Sequence, residues 1–315
     1  MADRPEALRL GAAEFRELYE RVRRIATGGT GGAGGRGALE TLTPERVVAA
    51  AREVRSGLRV SLAAPVETHT GPDNPEPAGH RMTGAVAGAI EPGGLQFARD
   101  HFDMNVHGDA DSHLDALCHV IYDGTLYGGT DASSVTPQGA EALSVALARD
   151  GIVGRGVLLD IPRLRGVSWL EPGEQVSAAE LAEAEAAQGV RVGEGDLLFV
   201  RVGHRRRRTE LGPWESATAR AGLHPGAMEF LAERRVAVLG GDGNNDAAPS
   251  ATEGVDFPVH VLAVHAMGVH LLDYLQFEDL APVCEQEGRW SFLCVVAPLR
   301  LPRATGSPVN PIAVL

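Results

Sequence analysis

The segment Asp109-Ala-Asp-Ser-His113-Leu-Asp115-Ala-Leu-Cys-His119 places two histidines and three carboxylates within eleven residues. Imidazole and carboxylate are the usual ligands of a divalent metal that activates water. In an extended segment His113 and Asp115 project to the same side, because side chains repeat every two residues. If the chain then turns helical, Asp115 and His119 share a face at i and i+4. One strand-to-helix transition would aim three polar groups at one point. The same spacing also fits a polar loop with solvated histidines.

A second group, His260, His265, His270 and Asp273, stands among apolar residues. His265 and His270 read as core histidines with satisfied hydrogen bonds. His260 opens the apolar run and could hand an imidazole to a cleft. Asp273 closes it, and a buried carboxylate needs a partner such as a metal or a histidine. The run Asp242-Gly-Asn-Asn-Asp246 follows a buried strand directly. In an α/β fold that position often faces the ligand crevice, and an Asx-turn connector is the equal alternative. His69 and His80 lie in the loop Pro65 to Met82, rich in Pro, Gly, Asn and His, and are candidates to shape a pocket.

The elements that must position these groups alternate. Apolar spacing over residues 6–26 predicts an amphipathic helix. Thr27 to Gly37 is a loop of mostly Gly, Thr and Ala. Thr43-Pro-Glu-Arg predicts a capped helix start running to about Ser56. Strands are expected at Arg59-Val-Ser-Leu, over Gly94 to Val106, Val153 to Ile161, Asp196 to Val202, Val236 to Asp242 and Trp290 to Ala297. Helices are expected over Ser177 to Gln188, with Ser177 as N-cap, and Leu223 to Arg234, where His224-Pro225 caps the start. Val259 to Leu272 is helix or strand near the core. This alternation predicts an α/β fold, and no composition break forces a domain boundary.

Composition narrows the function. A 315-residue chain that is 44% hydrophobic can bury a sizeable core. A formal net charge of -13 argues against nucleic acid. The basic run Arg205 to Arg208 reads as a solvated turn or a substrate-anion contact. No lysine occurs, so all 29 basic residues are arginine, and Schiff-base, pyridoxal phosphate and P-loop lysine chemistries are excluded. Cys118, Cys284 and Cys294 lack CxxC spacing. With no apolar signal region and no apolar run of about 18 residues, a cytoplasmic protein without a membrane partner is expected.

The motif resembles the signature His-x-Gly-Thr-His-x-Asp-x-Pro-x-His of the cyclase family, which includes bacterial kynurenine formamidase and isatin hydrolase. His113, Asp115 and His119 match it, and Ser112 stands for Thr. The strands from Asp196 and Val236, Pro258-Val-His260 and the ending Ala297-Pro-Leu-Arg-Leu-Pro through Gly306-Ser-Pro-Val-Asn-Pro also look like family landmarks. The resemblance covers most of the chain from about residue 55, and the longer N-terminus looks like the longer bacterial members, which implies residues 1–50 as an N-terminal helical extension with a Gly-rich loop and 51–315 as the catalytic domain. It implies a swivelling β/β/α fold with a mixed central sheet flanked by helices, a divalent metal (Mn2+ or Zn2+), a small-molecule substrate and a homo-oligomer (dimer or tetramer). Carried over, Asp109, His113 and Asp115 are metal ligands, His119 is the general base, and His260 and Asp273 complete the site, Asp273 in place of a Glu.

Three positions depart from the signature: Asp109 replaces its first His, Asp111 its Gly and Leu117 its Pro. Carboxylate for imidazole favours harder metals such as Mn2+ or Mg2+ over Zn2+. His107 could serve as a ligand if the register shifts. The implied activity is hydrolysis of an amide, lactam or lactone bond by metal-activated water. Cyclisation or dehydration of a biosynthetic intermediate, or a metal-free relative that only binds its ligand, are the alternatives.

Overall fold

The long apolar runs owe their character to a sheet covered on both faces. The computed structural model describes residues 9–28, 35–84, 88 and 92–315. Nine strands form one sheet in the order Arg59–Ser61, Ile312–Val314, Ser291–Val296, Ile152–Asp160, Leu197–Arg201, Val238–Gly241, His270–Asp273, His113–Asp115, Gly306–Pro308. The four strands from Ile152–Asp160 to His270–Asp273 run parallel to one another, and antiparallel strands flank them. The fold is α/β with a mixed sheet. Alternate residues of the central strands enter two core clusters. Val157, Leu159, Leu198, Val200 and Leu239 face one; Leu158, Leu197, Phe199 and Val238 face the other. Strands buried on both faces read as continuous rather than alternating apolar runs.

The N-terminal helix, Ala12–Thr27, buries Phe15, Leu18 and Val22, spaced i, i+3, i+7. It packs on Ala227–Arg234 and on Val261–Met267, in the same cluster as the central strands. Thr43 caps Pro44–Ala50 by accepting from Arg46 N, and a 3-10 turn at Ala51–Glu53 ends that helical stretch. Ser177 and Glu180 form a capping box ahead of Ala178–Gln188. The centre of the Gly-rich stretch, residues 29–34, lies outside the described residues.

Several elements differ from expectation. The chain does not enter a helix after Asp115. It makes a hydrogen-bonded turn, with Ala116 N donating to Thr305 O and His119 N to Ala116 O, both at 2.9 Å. Val259 to Leu272 is helix and strand in succession: a helical turn Pro258–His260, a π-helix Val261–Met267, a reversal at Gly268 in the left-handed region, and the strand His270–Asp273. The end of the Pro65 to Met82 loop forms a hairpin, with Gly79–Gly84 pairing Arg99–Asp103. The basic run is a helix, His204–Leu211, with Arg206 exposed and two of its arginines turned to the protein. Arg205 is buried and donates to the carbonyls of Leu275, Ala110 and Tyr274; Arg208 pairs with Asp73 and Glu67.

His265 is satisfied, bonding Tyr19 Oη at 2.9 Å and the Thr125 carbonyl at 3.0 Å. His270 is not: among the described residues neither ring nitrogen has a partner, and burial pushes its pKa down to about 4. Folded His270 therefore stays neutral between about pH 4 and 6.5, while the unfolded chain takes up a proton. Its contribution lowers stability as the pH falls through that window. His270→Leu is expected to flatten the pH dependence of stability there by about 1.4 kcal/mol per pH unit. Denaturant melts at pH 5 and pH 8 check it; equal gains at both would refute it.

Candidate metal centre

Two strands, a loop and a helical turn converge on Asp115. His113 and Asp115 sit at either end of the buried strand His113–Asp115 and share its face. Asp115 Oδ1 lies 2.8 Å from His107 Nδ1 and 3.6 Å from His113 Nε2. His260 Nε2 stands 3.4 Å from Asp115 Oδ2 and 3.4 Å from Asp273 Oδ2. The geometry forms two groups able to hold a cation, His107–His113–Asp115 and Asp115–His260–Asp273, with Asp115 in both.

The supporting contacts fix which nitrogen faces inward. His113 Nδ1 donates to the Asp111 carbonyl at 2.8 Å, which leaves the Nε2 lone pair toward Asp115. His260 Nδ1 bonds Asp246 Oδ2 at 2.6 Å, leaving Nε2 toward Asp115 and Asp273. His107 Nε2 bonds Thr305 Oγ1 at 2.9 Å, so its Nδ1 faces inward. Asp273 Oδ1 accepts from the amide side chain of Asn245. His119 stacks on His107 with ring centroids 3.7 Å apart.

The electrostatics fit a cation. Asp115, Asp246 and Asp273 are buried around one imidazole. Burial opposes charge on Asp115, yet the hydrogen bond from His107 and the nearby imidazole of His260 hold its carboxyl well below the ordinary range. Burial likewise opposes charge on His260, but Asp273, Asp115 and Asp246 hold its pKa well above the ordinary value. Among the described residues Asp115 Oδ2 has no hydrogen-bond partner, and it is buried. An orphaned carboxylate oxygen beside imidazole nitrogens suits a divalent cation. The donors are nitrogen and oxygen only; Cys118 Sγ points to the Ala304 carbonyl.

Not every expected residue joins the cluster. Asp109 lines the same cavity but belongs to neither donor group; its Oδ1 accepts from the Tyr274 hydroxyl at 2.7 Å. His107 stands where that ligand was expected. Asp242 lies away from the cavity. It accepts from the backbone of Val202 and Gly203 at 2.7 and 2.8 Å, tying neighbouring loops together. His69 is exposed beside Glu67, and His80 pairs with Asp100 on the hairpin; neither lines the cavity. The other departures from the signature have local reasons. Asp111 accepts from Glu67 N at 2.8 Å, and Leu117 is buried in the cluster that holds Phe15 and Leu18 of the N-terminal helix.

Spacing did not reveal Asp246, the acid that orients His260. It accepts from Val259 N, His260 N and His260 Nδ1 at 2.7, 3.0 and 2.6 Å. The run Asp242–Asp246 carried the signal, but its last acid rather than its first reaches the centre. Asp246→Ala is expected to weaken metal affinity about 10- to 100-fold. Competition against a chromophoric chelator measures this; unchanged affinity would remove Asp246 from the support of the centre.

The cluster opens into a cavity of about 560 Å³ lined by His107, Asp109, His113, Asp115, His119 and His260 together with an apolar wall. The fold agrees with what other proteins show. The model of the Cyclase family, described as "Putative cyclase", matches residues 59–245, and the chain belongs to that family. A crystal structure described as a novel cyclase is 30% identical, with a TM-score of 0.81, over 94% of this chain and 99% of that one. Isatin hydrolase A from Labrenzia aggregata, bound to benzyl benzoate, is 20% identical with a TM-score of 0.59, over 85% of this chain and 97% of that one. Isatin hydrolase A from Ralstonia solanacearum is 21% identical with a TM-score of 0.55, over 86% and 97%. No curated protein matches the sequence. Among the described residues no helix is long and apolar enough to cross a membrane.

Proposed function

We propose that this protein is a metal-dependent hydrolase that opens an amide, lactam or lactone bond of a small molecule. The observation that carries the reading is Asp115, shared by two donor groups with one oxygen unbonded, beside the imidazole of His119. The isatin hydrolase folds support it. His107, His113 and Asp115, with His260 and Asp273, would hold a divalent cation such as Mn2+ or Zn2+, which when bound polarises a carbonyl and acidifies water.

The chain's own residues do the rest. Burial first, then the neighbouring histidines, push the His119 pKa down to about 4 against the pull of Asp115, so the ring is neutral at pH 7. Neutral His119 takes the proton of the attacking water and returns it to the leaving amine or alkoxide. The products are a ring-opened acid or a free amine. N-formyl anilines, cyclic amides and lactones have the required carbonyl. We place the working enzyme in the cytoplasm as a homo-oligomer. The hairpin Gly79–Gly84 with Arg99–Asp103 supports assembly, since it exposes Met82 and Phe102 and two strands alone are marginal in water.

Elemental analysis of protein purified without chelator is expected to give about one or more equivalents of Mn, Zn or Fe per chain. Turnover in heavy-oxygen water is expected to label the product. Unlabelled product would favour cyclisation, a reading that the 30% identical structure described as a cyclase keeps in play. A chain that neither contains nor binds metal would overturn the hydrolase reading.

A further inference from the structure

The cavity carries more negative charge than a cation requires. Asp109 and Asp256 line it besides Asp115 and Asp273, and no arginine does. If Asp115 and Asp273 balance one divalent cation, the other two acids leave the cavity negative. Asp109 is also held in place. The Tyr274 hydroxyl donates to its Oδ1 at 2.7 Å, and Tyr274 is itself fully buried. Among the described residues no cation pairs with Asp109, and its Oδ2 is left for a ligand. The same cavity has an apolar wall of Val120, Ile121, Val255, Phe257 and Val261. Ile121 and Phe257 are 52% and 45% exposed, ready to cover an apolar body.

We propose that Asp109, oriented by Tyr274, is a substrate-recognition carboxylate that selects apolar carbonyl compounds bearing an ammonium or N–H donor and disfavours anionic ones. A fixed carboxylate in a cavity with low-dielectric walls attracts a cation and repels an anion far more than it would in open water. The signature histidine has thereby been exchanged for a specificity group, and His107 fills the vacated place in the donor set. The inference rests on the cavity being the substrate site of the hydrolase.

The test is binding, which does not depend on turnover. Calorimetry at pH 7 and low salt compares benzylammonium, benzyl alcohol and benzenesulfonate on the full-length protein with Mn2+ added. Benzylammonium is expected to bind about tenfold or more tighter than benzenesulfonate, with benzyl alcohol between. Added salt should weaken the ammonium and leave the alcohol unchanged. Asp109→Asn, checked for native melting, should bring ammonium and alcohol within about threefold of one another while metal content holds. Equal affinities, a sulfonate preference, no binding of any probe, or loss of Mn2+ from Asp109→Asn overturns the proposal; the last would make Asp109 a ligand. If the hydrolase reading alone is wrong, heavy-oxygen labelling fails while the order of affinities stands.

Discussion

Asp115→Asn is expected to empty the metal centre and reduce turnover by about a thousandfold or more. The reason is position. Asp115 is common to both donor groups, so its loss weakens each of them, whereas any other single ligand belongs to one. The substitution preserves volume in a site where Asp115 is 1% exposed, so packing is not the variable. What changes is charge: an amide cannot balance a cation, and its NH2 would stand where a carboxylate oxygen faced the imidazoles. His260 would also lose one of the three carboxylates that hold its pKa up. Metal content by plasma mass spectrometry, read beside the melting temperature, checks this. A folded Asp115→Asn that retains a full equivalent of metal would show that Asp115 is not a ligand.

The parts of this site legible in sequence are those whose geometry is local. His113 and Asp115 face one way because a strand repeats every two residues, and the strand is there. The buried strands were legible because both their faces meet core, which leaves apolar runs too long for a solvated sheet. The helical continuation from Asp115 to His119 was not correct, because a tertiary bond decides it. Ala116 N is drawn to the Thr305 carbonyl, far along the chain, and the backbone turns instead of coiling. His119 still arrives beside His107, by a different path.

Partners distant in sequence were the illegible part. Asp246 serves His260 across 14 residues, Tyr274 holds Asp109 across 165, and Thr305 holds His107 across 198. No spacing rule links such pairs. The choice of Asp242 over Asp246 failed for a related reason. A residue immediately after a strand end is still tied to the neighbouring loop, here by the N–H groups of Val202 and Gly203. The chain needs a few more residues to reach the crevice. Leu117 illustrates the converse: a departure from the signature that sequence marks but only packing explains, since the added N-terminal helix supplies the core it fills.

His119→Ala is expected to lower turnover by about 10²- to 10⁴-fold while leaving metal content nearly intact. His119 lines the cavity with the donors yet belongs to neither donor group, so removing it takes away a base and not a ligand. The two effects separate only because the stacked neighbour His107 keeps its own bonds to Asp115 and Thr305. His107→Ala should therefore do the opposite, losing metal as well as rate. The pH profile adds a signature that a structural role would not produce. A base whose pKa is pushed down to about 4 stays unprotonated through the neutral range, so activity falls only as the pH drops toward that value. An unperturbed histidine would cut activity near pH 6.5. The acid limb belongs to His119 and should vanish with it, leaving a slow rate that is flat down to the pH where the metal leaves. Full activity in His119→Ala, or an acid limb that survives the substitution, would assign the proton transfer to another group.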